Sequence, residues 1–275
     1  MEEIKFVLYF GNRGFFPEFL ISEARKEMKE VLTKLGYQFL IMDENLTKYG
    51  AVETVEEGEK FATFLNQHKG EYDGVIVSLP NFGDENGIIA ALANCSVPIL
   101  IQAYPDEIGK MDFQQRRDAF CGKISIMNAF YQNNIPFTVF KPHTVHPKTQ
   151  DFEIQLKWFS AICRIVKKMK RFSIGAIGAR TTAFKSVRFD ELTLQKYGIT
   201  TETIDLSELL LRVKDIKTGT EKFVQKINRL KNYTNWNSVP EEKLSALARL
   251  SLGIDDIINE YKLDCIALRC WIEIE

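Results

Sequence analysis

The chain has 275 residues, 45% hydrophobic and 27% charged, enough for two ordinary domains with proper cores. Its 36 basic and 37 acidic residues leave a formal net charge of −1, so there is no electrostatic case for nucleic acid or for an anionic membrane surface. No apolar run approaches the roughly 20 residues of a membrane span, and Met1-Glu2-Glu3-Ile4-Lys5 lacks the basic and apolar regions of an export signal.

The first 140 or so residues alternate short apolar runs with segments of helical period. Ile4 to Phe10 reads as a strand ending in Gly11-Asn12-Arg13-Gly14. Glu18 to Leu35 sets Leu20, Ala24, Met28, Val31 and Leu32 on one helical face, and Gly36 stops it. Tyr37 to Met42 is a second strand and Thr54 to His68 a second helix. Gly74 to Leu79, almost wholly apolar, suits a parallel strand covered on both faces. A short helix from Gly87 to Ala93, a strand from Val97 to Ala103, a helix from Gln114 to Gln132 and a fifth strand from Phe137 to Phe140 follow. This rhythm predicts a parallel sheet with right-handed crossovers, a flavodoxin-like first domain over 1–142.

Lys141 to Pro147, with two prolines, reads as a linker. A second α/β unit over 148–275 then opens with a helical stripe of Trp158, Phe159, Ile162, Ile165, Val166 and Met169. Its expected strands are Phe172–Ile177, Thr200–Ile204 and Leu263–Leu268. Helices are expected over Val187–Tyr197, Leu206–Lys214, Thr220–Lys231 and Pro240–Tyr261. The fold class is therefore α/β, two tandem Rossmann-like parallel-sheet domains. The five cysteines, Cys95, Cys121, Cys163, Cys265 and Cys270, are odd in number and show no CxxC spacing, as expected of thiols in a reducing cytoplasm. The chain leaves its last strand at Ala267–Glu275 without cap or turn signal, which suggests the front part of a longer polypeptide.

Ligands of open parallel sheets bind beyond the carboxyl ends of the strands. In the first domain those loops carry Arg13, then Asn81, Phe82, Asp84, Glu85 and Asn86, then Tyr104. Hydroxyl-binding donors and acceptors beside an aromatic platform suit a polyol. The same residue types also serve plain structure: Asp84 and Asn86 as helix caps, the glycines as turns. Dinucleotide chemistry is not indicated, because Gly11-Asn12-Arg13-Gly14 and Ile174-Gly175-Ala176-Ile177-Gly178 lack the third spaced glycine, and no P-loop is present. Of the three histidines, His143 and His146 sit in the proline-rich segment without carboxylates at ligand spacing, so no metal site is expected in this chain. The acidic pair Glu273 and Glu275 follows a strand end, where it suits either a catalytic rim or an exposed strand face.

Several segments together resemble the L-fucose/L-arabinose isomerase superfamily, nearest its fucose-isomerase-like branch. They are the Arg13 loop, Leu79-Pro80-Asn81-Phe82-Gly83-Asp84-Glu85-Asn86-Gly87, and Arg116-Arg117-Asp118-Ala119-Phe120-Cys121-Gly122-Lys123. To these add Ile174-Gly175 through Arg180 and Asp190 to Asp205-Leu206-Ser207-Glu208-Leu209, and Ala267-Leu268-Arg269-Cys270-Trp271. The resemblance implies an aldose–ketose isomerase with two N-terminal Rossmann-like domains and a C-terminal domain. It implies Mn²⁺ on the sugar oxygens, an ene-diol route, and metal ligands beyond Glu275. It also implies a homo-oligomer in which the first domain of one subunit covers a neighbour's site, with Arg13, Asn81 and Phe82 contributing. The aromatic usual at this loop is displaced or replaced here, leaving Asn81, Phe82 and Tyr104 as candidate partners of Arg13. The alternative readings are a cytoplasmic two-lobed sugar-binding or sensory module without catalysis, and a flavodoxin-like cofactor domain.

Overall fold

The computed structural model describes residues 3–274. They form two compact units, residues 1–167 and 168–275. The first holds β1 (Lys5–Phe10), α1 (Phe19–Lys34), β2 (Gln38–Ile41), α2 (Val55–Gln67), β3 (Gly74–Leu79), α3 (Glu85–Leu92), β4 (Ile99–Ala103), α4 (Ala119–Gln132) and most of α5 (Gln150–Met169). Its sheet is parallel, in the order β2-β1-β3-β4. The second holds β5 (Phe172–Ile177), α6 (Glu191–Lys196), β6 (Ile199–Ile204), α7 (Leu206–Asp215), α8 (Glu221–Tyr233), α9 (Glu241–Tyr261) and β7 (Cys265–Leu268). Its parallel order is β6-β5-β7. Both units are Rossmann-like, as the strand–helix rhythm predicts. Among the described residues no helix is long and apolar enough to cross a membrane.

Strand alternation sorts the first unit's core into two layers. Val7, Tyr9, Val75 and Val77 face α2, α3 and α4 through Phe61, Leu65, Ile88, Leu92, Ile126 and Phe130. Phe6, Leu8, Ile76 and Leu100 face α1 and α5 through Ile21, Met28, Leu32, Phe152, Leu156 and Phe159. Helix α5, assigned from sequence to the second domain, thus buries Phe152, Leu156, Phe159 and Cys163 in the first unit's core, while Trp158 and Ile165 of the expected stripe stay exposed. The division between the units accordingly falls in its last turn and not at Pro142. Lys141–Pro147 is bound into the same unit. Its carbonyls accept from Gln155 (to Pro142, 3.1 Å), Lys123 (to His143, 2.7 Å) and Gln102 (to Val145, 2.7 Å).

Most expected elements are found within a residue or two of their bounds; three depart further, each for a local reason. The expected fifth strand is only a bridge, Thr138 to Leu100, followed by a second, Thr144 to Ala103. Pro142, which has no N–H to give a ladder, stands between them. Helix α4 starts at Ala119 instead of near Gln114. Asp112 accepts from the Gln114 amide, and Asp106 accepts from those of Arg117 and Asp118, holding that stretch as turns. Helix α6 is confined to Glu191–Lys196 because Asp190 caps it, accepting from Leu192 and Thr193.

Candidate functional site

The site is built from the loop after β1 and the loop after β3. Asn12 and Asn81 are 1% and 0% exposed, so their carboxamides must be paired internally. Asn81 Nδ2 donates to Asn12 Oδ1 at 2.7 Å, and Asn12 Nδ2 donates to Glu53 Oε2 at 2.7 Å. Asn81 Oδ1 accepts from the Gly83 N–H at 3.1 Å, an Asx-type turn that needs the positive φ of Gly83, +77°. Against the back of this loop lies Gly122, where an added Cβ would come within 1.9 Å of the Phe82 carbonyl oxygen. The loop is therefore fixed from two sides before any ligand arrives.

Arg13 lies across it. Its Nε donates to the Gly83 carbonyl at 2.9 Å, its guanidinium carbon stands 4.5 Å from the Phe82 ring centroid, and one Nη is 3.9 Å from Asp84 Oδ2. With Nε committed, the two Nη groups form the edge left to recognise an oxygen-rich ligand. Asp84 caps α3, accepting from the Gly87 N–H at 2.8 Å, and Glu85 accepts from the Ser125 hydroxyl. Asp84 thus caps the helix through Oδ1 and meets Arg13 through Oδ2.

Around Arg13 extends an aromatic rim. Phe16 stacks with Phe82 (6.4 Å) and Phe15 (4.6 Å), and Phe15 with Phe113 (6.4 Å). Arg116 covers Phe16 and Phe113, at 5.6 Å from each. Beneath it Tyr9 is wholly buried with no partner for its hydroxyl. Burial, then the charges of Asp84 and Glu57, push its ionisation well up.

Tyr104 is not brought into this group. It is 1% exposed and packs in the layer that faces α1 and α5. Its hydroxyl donates to Glu27 at 3.0 Å, its ring meets His146 edge-on at 5.3 Å, and burial followed by Glu27 raises its ionisation strongly. Arg117 connects the two sets, donating to the Pro80 carbonyl at 3.1 Å and lying 4.9 Å from the Tyr104 ring centroid. Sequence reasoning passed over Asn12, Glu53 and Arg117 as parts of the rim. Asn12 was legible as the one carboxamide in the first βα loop; Glu53 and Arg117 join only through tertiary contacts.

The donor set does not fit a divalent cation. Among the described residues no three His, Cys, Asp or Glu side chains converge as a metal-holding group. Asp84 and Glu85 are committed to Gly87 and Ser125. In the second unit Glu273 is held by Arg269 at 2.8 and 3.1 Å, and Glu275 lies outside the described residues.

The first unit is thus a doubly wound α/β domain with a prebuilt arginine–aromatic rim on its carboxyl edge. The family model for the fucose/sulfoquinovose isomerase N-terminal domain matches residues 8–170, and the chain belongs to that family. Among its relatives are the sulfoquinovose isomerases of Priestia aryabhattai and Priestia megaterium (strain ATCC 12872 / QMB1551). Each is 22% identical over 218 residues, which cover 78% of this chain and 47% of the relative. The chain spans about half the length of the curated relatives it matches.

Proposed function

We propose that this chain acts as the N-terminal two-domain part of a cytoplasmic aldose–ketose isomerase for a fucose-, arabinose- or sulfoquinovose-like monosaccharide. It supplies the substrate-side wall and not the reacting groups. The family match over residues 8–170 carries this reading. Arg13 offers its Nη groups to sugar oxygens, Phe82 forms the platform beside it, and Asp84 with Glu85 line the opening of α3. Asn81 and Tyr104 act as supports, because both side chains are buried and internally paired. Isomerisation moves a proton between neighbouring carbons, and a cation such as Mn²⁺ polarises the oxygens they carry. Since the donors present here do not fit that ion, we assign it to the part of the enzyme that the relatives possess beyond this match. The wall would serve its own or a neighbouring subunit in a homo-oligomer.

Calorimetry and an activity assay test the reading together. The chain alone is expected to take up no stoichiometric Mn²⁺ and to interconvert no aldose and ketose. Micromolar, stoichiometric Mn²⁺ uptake would overturn the assignment of the ion. Tight capture of a free pentose or hexose by the chain alone would favour a non-catalytic sugar-binding module instead.

A further inference from the structure

The second unit's sheet is covered on one side only. Register fixes the sides: Ile174, Thr201 and Cys265 are partners across the three strands, as are Ala176, Thr203 and Ala267. Partners in a parallel ladder share a face. The opposite face, through Ile177, Ile204, Ile266 and Leu268, packs on α7 and α9 at Leu209, Ile254, Ile257 and Ile258. On the Ala176 face, Thr203, Cys265 and Ala267 are exposed, and Phe172, Ile174, Ala176 and Thr201 are only half-buried. Helix α6, which lies along β6, is only six residues long and buries no side chain. Purely parallel sheets need both faces covered, and the first unit meets that need: α5, the second helix after its last strand, closes the corresponding face together with α1.

At the carboxyl end of the bare face is a cavity of about 320 Å³, whose lining includes Phe184, Val187, Phe189 and Trp271 together with Arg180 and Arg269. Phe184, Val187, Phe189 and Trp271 are exposed around it. The loop that carries the first three, residues 180–189, contains Arg180, Lys185 and Arg188 and no acidic residue. An apolar trough with a basic lip is poor chemistry for a free polyol and good chemistry for an amphipathic helix with acidic flanks.

We propose that this face of the second unit is the seat of an amphipathic, acid-flanked α-helix that does for β5–β7 what α5 does for β1–β4. Resting on the isomerase reading, the helix belongs to the portion of the enzyme that accounts for the other half of the relatives' length. Its apolar stripe enters the Phe184–Trp271 cavity and crosses Ala176 and Ala267, and its carboxylates meet Lys185 and Arg188.

Two synthetic helices of roughly 18 residues, about five turns, serve as probes. They share one Leu/Phe stripe and differ in flanks, all Glu or all Lys. Binding is read by Trp fluorescence and calorimetry, and coverage by alkylation of Cys265 followed by mass spectrometry. The Glu-flanked helix is expected to bind roughly ten-fold or more tighter than the Lys-flanked one and to protect Cys265. Ala267→Glu should abolish binding, and K185E/R188E should reverse the preference. Because all three positions are exposed, thermal melts of the variants should match the parent, and Cys265 protection in the unsubstituted chain needs no variant at all. Equal affinity for both flanks, or no protection of Cys265, would overturn the proposal. So would concentration-dependent dimerisation that protects Cys265, which would give the seat to a second copy, or displacement of the helix by a monosaccharide. None of these readouts uses catalysis, so failure of the isomerase reading and failure of this seat are seen separately.

Discussion

The two units share a strand order around their first strand but differ in how the sheet is closed. In the first, α1 and α5 cover one face of β1–β4 and α2, α3 and α4 the other, with Phe159 and Phe61 buried in opposite layers. In the second, α7 and α9 cover one face of β5–β7 and the other is left to α6. The contrast separates two tasks. A sheet packed on both faces can hold loops rigidly enough to prebuild an Arg13–Phe82 rim; a sheet packed on one face keeps apolar surface for a later contact.

The sharpest break of this comparison is a cavity on each side. Phe159→Ala should destabilise the first unit by about 3–5 kcal/mol, the usual cost of emptying a buried aromatic site. Phe184→Ala, beside the bare face, should fall within about 0.5 kcal/mol. Urea unfolding followed by circular dichroism reads both, and equal costs would contradict the contrast. Next in size is Asn81→Leu, which strands Asn12 Oδ1 and the Gly83 N–H; about 1–3 kcal/mol is expected for each group left unpaired. Gly122→Ala should cost about 1–3 kcal/mol through overpacking against the Phe82 carbonyl and shift the Phe82 ring resonances by NMR.

Lys123 gives a pH test confined to the first unit. It is 2% exposed, and burial pulls its pKa from 10.5 down to about 8. Between those values the unfolded chain binds more protons than the folded one, so stability rises as pH climbs through that window, and the gain is lost as pH falls back through about 8. Lys123→Met should flatten that rise when melts are compared across the window. The smallest effect is Tyr9→Phe, which removes a buried hydroxyl without a partner and should leave stability unchanged or raise it by up to about 1 kcal/mol. A clear loss of stability would show that the hydroxyl is satisfied.

Much of the fold was legible because local signals agreed. The apolar run Gly74–Leu79, the Thr54 and Asp84 caps and the Gly36 stop each mark a boundary to within a residue or two. What was lost depended on contacts distant in sequence. Nothing in the apolar residues of α5 says which sheet it covers or that Phe152 and Leu156, not Trp158 and Ile165, are its inner face, and nothing near Gln114 shows that Asp106 holds the amides of Arg117 and Asp118. The candidate site was half legible. Arg13, Asn81, Phe82 and Asp84 come together across the carboxyl edge of β1 and β3, as strand ends in one sheet should. Tyr104 follows β4 in the same edge, yet its ring turns to the α1 side to meet Glu27. The side to which a residue just past a strand end turns is decided by partners, not by its type.

Native-state hydrogen exchange of the whole chain measures the contrast most directly. Amides of β1, β3 and β4 should open only with global unfolding of their unit, while those of β5, β6 and β7 should exchange through a separate, lower-energy opening. A single opening energy shared by both sheets would contradict the account.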